Sequence, residues 1–85
     1  MATTRLQAPN GTYTALNTGP CYIEGMEPGT WRITINTSTP IAGYAAYHLI
    51  KYPGGSFTYG GSETVYAQAE SSDWTSAYLA VTPVV

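Results

Sequence analysis

The chain has 85 residues, and only eight of them are charged, three Lys or Arg and five Asp or Glu, whereas eight are tyrosine. A freely diffusing domain of this size usually carries a charge on about a quarter of its residues. An uncharged surface rich in Tyr, Thr and Ser is easily desolvated, which favours an interface with another molecule. The basic residues Arg5, Arg32 and Lys51 are scattered, so they offer no clustered basic face and we expect no nucleic-acid partner.

The sequence also limits the compartment and the sources of stability. Residues 1–5 lack the apolar segment of a secretory signal, and no apolar run approaches the ~20 residues that span a membrane. We therefore expect synthesis in the cytoplasm and no membrane partner. Cys21 is the only cysteine, so no disulfide forms within the chain and we expect a small buried apolar side chain. A chain this short buries a modest core, which favours support from oligomerisation or docking on a larger body.

Turn residues punctuate the chain about every ten residues, and no segment between them is long enough or rich enough in helix formers for a helix. Residues 1–10 precede the first turn and form an N-terminal arm, either a short edge strand or a mobile segment. Residues 11–85 form a single domain, and its predicted strands are residues 12–16, 21–24, 30–36, 44–52, 56–59, 63–70 and 78–82. About seven short strands at this spacing predict an all-β fold, a small antiparallel β-sandwich or barrel.

The clearest strand is residues 30–36, in which Trp31 and two isoleucines alternate with polar residues. This pattern predicts a half-buried strand with Trp31 in the core between the layers. Residues 44–52 are apolar on both faces apart from His48 and one lysine, so we expect this segment to lie between two layers or between two subunits.

Groups that could perform chemistry are few. His48 is the only histidine, it has no Asp or Glu within ten residues on either side, and nothing resembles the turn that presents a nucleophilic serine. Glu24 and Glu27 flank a turn, which disfavours a glycosidase pair. One Cys and one His do not supply a zinc site, and Asp73 stands alone among serines, which disfavours calcium. We therefore expect no enzymatic activity, no metal and no cofactor.

The tyrosines are the best sign of a binding function. Eight are too many for one small core, and their hydroxyls need partners when buried. Tyrosine also suits the solvent face of a strand, so each single residue is open to either interpretation. Trp74 follows a polar loop and either caps one end of the sandwich or serves as an interface anchor or a sugar-stacking platform. The sequence predicts an interface formed by Arg5, Tyr44, Tyr47, His48, Tyr52 and Trp74.

Several segments share their order and pattern with one group of proteins. Residues 16–24 form a turn and a short strand, followed by the alternating residues 31–35 and the Ser-Thr-Pro loop at residues 38–40. Residues 55–67 combine a glycine-rich aromatic hairpin with a strand of Val, Tyr and Ala. Over residues 13–81 the chain thus resembles small bacteriophage virion proteins. The resemblance implies a small β-sandwich attached to the virion as a head decoration protein, a head fibre or a tail accessory. It supplies no contact residue, because no segment matches a known capsid-contacting motif.

Two hypotheses from different classes follow. The first is a capsid decoration or cement protein, made in the host cytoplasm, that binds the major capsid protein or another virion subunit, stabilises the head and forms a homo-oligomer, a trimer. Residues 3–9 and the strand faces that carry Tyr44, Tyr47 and Tyr52 would then make the contacts. The second is a small carbohydrate-binding module of a phage tail fibre or a similar adhesin, with Trp74 stacking on sugar. A tail tube or connector component is a third interpretation.

Overall fold

Every regular element is a β-strand in the computed structural model, which describes residues 2–26, 29–41, 43–52, 54–70 and 78–84. Eight strands follow one another in chain order: β1 (Thr4–Gln7), β2 (Thr14–Thr18), β3 (Cys21–Gly25), β4 (Thr30–Asn36), β5 (His48–Lys51), β6 (Ser56–Tyr59), β7 (Thr64–Ala69) and β8 (Tyr78–Pro83). The described residues form no helix, as the short spacing of the turns predicts.

The strands form two four-stranded antiparallel sheets. Sheet A has the strand order β1-β8-β3-β6, and sheet B has the order β2-β7-β4-β5. The pairs β1–β8, β2–β7, β3–β6 and β4–β5 are nested, so that the outermost strands pair with each other and the two middle strands pair with each other. A nested hairpin rolled into two sheets is the connectivity of a jelly roll. The all-β prediction is confirmed, and the two separate sheets make the fold a sandwich.

The core lies between the sheets and follows the alternation of the sequence. Trp31 and Ile33 in β4 are fully buried. Trp31 stands opposite Ala69 in β7, and its ring lies 2.7 Å from the point that a Cβ on Gly25 would occupy. Small residues on the neighbouring strand β7 and on β3 of the facing sheet therefore make room for the indole, and the predicted core position of Trp31 is confirmed.

The single cysteine belongs to the same core. Cys21 is the first residue of β3 and is fully buried, as predicted. Burial raises the pKa of the thiol, and a hydrogen bond with the Asn17 side chain lowers it by a smaller amount. The thiol is therefore protonated at neutral pH and shielded from solvent, which are the properties of a structural cysteine.

The N-terminal segment adds an edge strand to sheet A. Residues 4–7 form β1, and Thr4 stands opposite Val81 of β8. The hydroxyls of Thr3 and Thr82 share a hydrogen bond of 2.7 Å. Ala8 is fully buried, and its carbonyl accepts a hydrogen bond of 2.9 Å from the N–H of Ala69 in sheet B. The segment thus takes the edge-strand form and is fixed at both of its ends.

Sheet B is covered on its outer face as well. Thr34 in β4 and Tyr66 and Gln68 in β7 alternate with core residues, so they point away from sheet A, yet they are only 3%, 5% and 2% exposed. Residues 43–47, here called the covering loop, lie over this face. Gly11 lies in a second loop, and its N–H donates a hydrogen bond of 3.1 Å to Oε1 of Gln68. Sheet B therefore lies under a partial third layer.

The covering loop corrects the predicted strand at residues 44–52. Only its second half is a strand, because β5 begins at His48. The carbonyls of Tyr44 and Ala46 accept hydrogen bonds from side chains and not from a neighbouring strand. Tyr44 and Tyr47 are half-buried in the covering loop, whereas Ala45 and Ala46 are exposed, and Ile50 is the buried residue of β5. Apolar residues of this segment are thus exposed as well as buried, so alternation alone could not separate its two halves.

Candidate binding cleft and docking face

A cleft opens where β4 extends beyond the end of β5. The β4–β5 pairing runs from Thr30 to Ile33, so Thr34 and Ile35 have no β5 residue beside them. The covering loop bridges this gap from the outer face of sheet B. The cleft has a volume of about 380 Å³, within the range of small-ligand sites. Its lining residues are Thr34, Ile35, Tyr44, Ala46, Tyr47 and His48. Two tyrosines and the histidine of the predicted interface thus meet at one site.

Side-chain hydrogen bonds fix the wall that the covering loop contributes. The hydroxyl of Tyr13, a residue that is 2% exposed, donates to the Tyr44 carbonyl at 3.1 Å. Oγ1 of Thr34 donates to the Ala46 carbonyl at 2.8 Å. The N–H of Tyr44 donates to the Ile41 carbonyl at 3.0 Å and closes a turn. Two largely buried hydroxyls thereby find partners, and the loop is held on the sheet without strand pairing.

An ion pair behind the cleft positions one of its aromatic rings. Nε and one terminal nitrogen of Arg32 donate to the two carboxylate oxygens of Glu70, at 2.5 and 3.1 Å. The guanidinium also lies over the Tyr47 ring, 4.8 Å from the centroid, which is within the range of a cation–π interaction. The bidentate hydrogen bond raises the pKa of Arg32 and lowers the pKa of Glu70 below its ordinary value of 4.5. Because the two side chains are 27% and 36% exposed, solvent screens the pair, and its structural effect is to hold the guanidinium over the Tyr47 ring.

His48 closes the cleft at the side of the sandwich. It stands opposite Ile33, on the side of sheet B that faces the core, but the end position of β5 leaves it exposed. Its ring centroid is 5.6 Å from that of Phe57 in β6, so it contacts the opposite sheet. The lining residues that the structure describes include phenol, imidazole and hydroxyl groups and no Asp, Glu, Lys or Arg. This set suits a neutral ligand that has both apolar faces and hydroxyl groups.

Exposed apolar side chains accompany the cleft along the same segment. Ile41 is 77% exposed, Leu49 is 52% exposed and Tyr52 is 41% exposed. Leu49 stands opposite Arg32 between β4 and β5, so it projects from the outer face of sheet B. Ile41, Leu49 and Tyr52 are here called the docking face. Single exposed apolar residues are common on protein surfaces, but three of them occur within residues 41–52, which makes this segment a candidate interaction surface.

The other predicted interface residues lie apart from the cleft. Arg5 is on β1, at the edge of sheet A far from β6, and its guanidinium lies 3.9 Å from the centroid of the Tyr78 ring. Tyr52 follows β5, and its N–H donates to the Gly29 carbonyl at 3.0 Å. Trp74 lies outside the described residues. Among the residues that the structure describes, no group of three or more His, Cys, Asp or Glu is placed to hold a metal ion.

Several residues of the site carry no signal that the sequence pattern could reveal. Thr34 and Ala46 line the cleft because a hydrogen bond joins them across 12 residues of sequence. Arg32 and Glu70 are 38 residues apart. Both lie on the polar faces of predicted strands, but their pairing depends on the register between β4 and β7, which the sequence does not give.

Comparison of the chain with protein-family models, with curated proteins and with solved structures finds no match. The described residues contain no helix able to cross a membrane. The likeness to bacteriophage virion proteins therefore stays a prediction that rests on sequence pattern. A jelly roll by itself supports many functions, so the functional information lies in the cleft and the docking face.

Proposed function

We propose that this chain is a non-enzymatic structural protein of a bacteriophage virion, which binds the major capsid protein or another virion subunit and stabilises the head. The observation that supports this proposal most directly is the docking face, where Ile41, Leu49 and Tyr52 are exposed on a chain with few charges. Burying apolar area contributes about 25 cal/mol per Å² before the costs of association are subtracted. Arg32 stands opposite Leu49, and the exposed Lys51 follows it by two residues in β5. A partner that leaves these two charges at the polar rim of the contact would gain this contribution without desolvating them.

The way the chain holds the neighbouring loop supports the same proposal. Ile41 accepts a hydrogen bond from Tyr44, and the Tyr44 carbonyl in turn accepts one from the buried Tyr13 hydroxyl. Leu49 is fixed by the pairing of β5 with β4. These apolar side chains are therefore presented on ordered backbone, and docking does not have to order the segment first.

A binding assay with phage heads tests the proposal. Heads of the phage that encodes the chain are prepared without it, mixed with the purified protein and sedimented. We expect saturable co-sedimentation and release of the head contents at a higher temperature. Leu49→Glu is expected to weaken binding by about tenfold or more, because a carboxylate would have to be desolvated at the contact.

The matched control is Val84→Glu, since Val84 is 50% exposed, close to the 52% of Leu49, but follows β8 in sheet A. We expect this variant to bind as the wild type does. Absence of the protein from purified virions contradicts the proposal, and so does an equal loss of binding in the two variants.

A second function is favoured by the composition of the cleft. We propose, as the alternative, that the chain is a small carbohydrate-binding module of a phage tail fibre or a similar adhesin that binds a neutral sugar between Tyr44, Tyr47 and His48. A sugar ring presents C–H faces that pack on an aromatic ring and hydroxyls that pair with phenol and imidazole groups. The uncharged lining formed by the described residues and the volume of about 380 Å³ fit a ligand of this kind.

Titration with a panel of neutral mono- and oligosaccharides, followed by NMR, tests this alternative. Tyr47→Ala is expected to abolish the shifts, whereas Tyr52→Ala, which removes an exposed tyrosine outside the lining of the cleft, is expected to leave them unchanged. Loss of binding in Trp74→Ala with retention in Tyr47→Ala would assign sugar binding to Trp74, as the sequence predicts, and not to the cleft. A panel without any binding removes the alternative.

A further inference from the structure

The two sheets end in four edge strands, which differ in how well they are protected from pairing with another strand. Proteins protect such edges with charged side chains, proline or bulges. The edge strand β1 carries Arg5, β5 carries Lys51, and β2 has a register shift between Ala15 and Asn17. β6 (Ser56–Tyr59) has none of these features and pairs with β3 in a continuous register. With four residues β6 is as short as β1 and β5, and it is the least protected edge of the described sheets.

The hydrogen-bond pattern indicates which backbone groups of β6 face outward. The N–H of Gly25 donates to the Gly55 carbonyl at 3.4 Å, so these two facing residues form a hydrogen-bonded pair. Along an antiparallel ladder, such pairs alternate with pairs that make no hydrogen bond to each other. Counting along the β3–β6 register, Phe57 is bonded to β3. Ser56 and Thr58 therefore direct their N–H and C=O groups toward the free edge.

We propose that β6 pairs with β6 of a second copy of this chain about a twofold axis. This pairing joins the four-stranded sheet A of one copy to sheet A of the other, so that the two form one continuous sheet. The occupant is a second copy because the strand is complementary to itself. The same arrangement at β1 or at β5 would bring Arg5 or Lys51 toward its own copy, and like charges destabilise such a pair. The sequence Ser-Phe-Thr-Tyr carries no charge to repel.

One register satisfies both the backbone and the side chains. With Thr58 opposite Thr58 of the second copy, the outward N–H and C=O groups of the two residues bond each other, and Ser56 bonds Gly60 of the second copy. In the same register Phe57 stands opposite Tyr59 of the second copy, on the inner face of both sheets. Aromatic pairs and Thr–Thr pairs of this kind are among the favourable cross-strand contacts.

The pairing has a consequence for assembly. A twofold contact produces a dimer, whereas the trimer of the capsid-decoration hypothesis needs a different contact. The junction lies in sheet A, and Leu49 projects from sheet B, so the dimer carries two docking faces. The inference does not depend on the proposed function.

Sedimentation equilibrium of the full chain over a wide range of protein concentration tests the dimer. We expect a dimer that dissociates on dilution. Thr58→Lys places two ammonium groups opposite each other at the axis and is expected to weaken the dimer by about tenfold or more. Thr12→Lys, at an exposed turn residue away from β6, carries the same added charge and is expected to dimerise as the wild type does.

A mixing experiment tests the register itself. Equal amounts of the Thr58→Lys and Thr58→Glu proteins are combined and examined by native mass spectrometry. Opposite charges then face each other at the axis, so we expect a mixed dimer tighter than either homodimer. A wild type that stays monomeric or forms a trimer overturns the proposal, as does a Thr58→Lys protein that dimerises like the wild type. A monomer that still binds phage heads would overturn the dimer and leave the proposed function standing.

Discussion

Gly25→Ala is expected to destabilise the fold by forcing the added methyl group into the core. A Cβ on Gly25 would lie 2.7 Å from Cζ3 and 3.3 Å from Cη2 of Trp31, where ordinary carbon contacts are about 3.5–4.0 Å. The indole has little freedom to withdraw, since Trp31 is fully buried and faces Ala69 across the sheet. Overpacking of this kind typically costs about 1–3 kcal/mol.

The net effect also includes the unfolded chain. Replacing Gly by Ala reduces the conformational entropy of the unfolded chain, which stabilises the fold by about 0.4–1 kcal/mol where the backbone permits the substitution. The net loss therefore lies within about 0–2.6 kcal/mol. Its middle value of about 1.3 kcal/mol lowers the Tm of a domain of this size by about 5–10 °C. Gly60→Ala is the matched control, because a Cβ there meets nothing within 4 Å. We expect its Tm to be unchanged or slightly raised.

Thermal unfolding followed by circular dichroism measures both variants, and a double-mutant cycle identifies the contact. Trp31→Phe replaces the indole by a smaller ring and so removes the atoms of the six-membered ring that the methyl group of Gly25→Ala would meet. The loss in the protein that carries both substitutions is therefore expected to be smaller than the sum of the single losses. Additive losses, or a Gly25→Ala protein as stable as the Gly60→Ala control, would refute the assigned clash.

Three further predictions concern the layer around the cleft and the buried thiol. The folded-state pKa of Glu70 is lowered by Arg32, so the ion pair stabilises the fold above the unfolded pKa of about 4.5 and the effect is lost as the pH falls through the folded pKa. In urea titrations, Glu70→Gln should be less stable than the wild type by at most about 1 kcal/mol at pH 7, and the difference should vanish in acid; a constant difference contradicts this. Tyr13→Phe removes the hydrogen bond to the Tyr44 carbonyl and should cost about 1 kcal/mol, with faster amide exchange in the covering loop; unchanged exchange would show that the bond does not hold the loop. Cys21 should react with a thiol reagent only after denaturant is added, because the folded protein buries it and raises its pKa; rapid labelling of the native protein at pH 8 would rule this out.

The sequence predicts the fold class well because strand alternation records burial directly. In β4 the period of two places Trp31 in the core, and the same period in β8 buries Leu79 and Val81. Gly25 shows the limit of this reasoning. It belongs to a cluster of turn residues, but it ends β3 and is buried under the Trp31 ring. A glycine that a turn requires cannot be told from sequence apart from a glycine that lets another side chain pack against the backbone.

The site is predictable only in part. The sequence indicates Tyr44, Tyr47 and His48 because aromatic residues without a core position favour binding. It cannot indicate the covering loop, whose shape depends on hydroxyls of Tyr13 and Thr34 that come from other parts of the chain. Contacts between residues far apart in sequence follow from register and topology, and neither is encoded in the local pattern.

The nested strand pairs also predict an order of folding, from the innermost pair β4–β5 to the outermost pair β1–β8. β4 and β5 are separated only by residues 37–47, so their pairing requires the shortest of the nested loops. Each pair that forms brings the ends of the next pair closer, and the entropy of closing a loop rises with its length. The pairing of Thr4 with Val81 spans nearly the whole chain, so we expect it to close last. A fold dominated by such distant contacts forms in about milliseconds to seconds, and β1 should be the first strand to open when the protein is stressed.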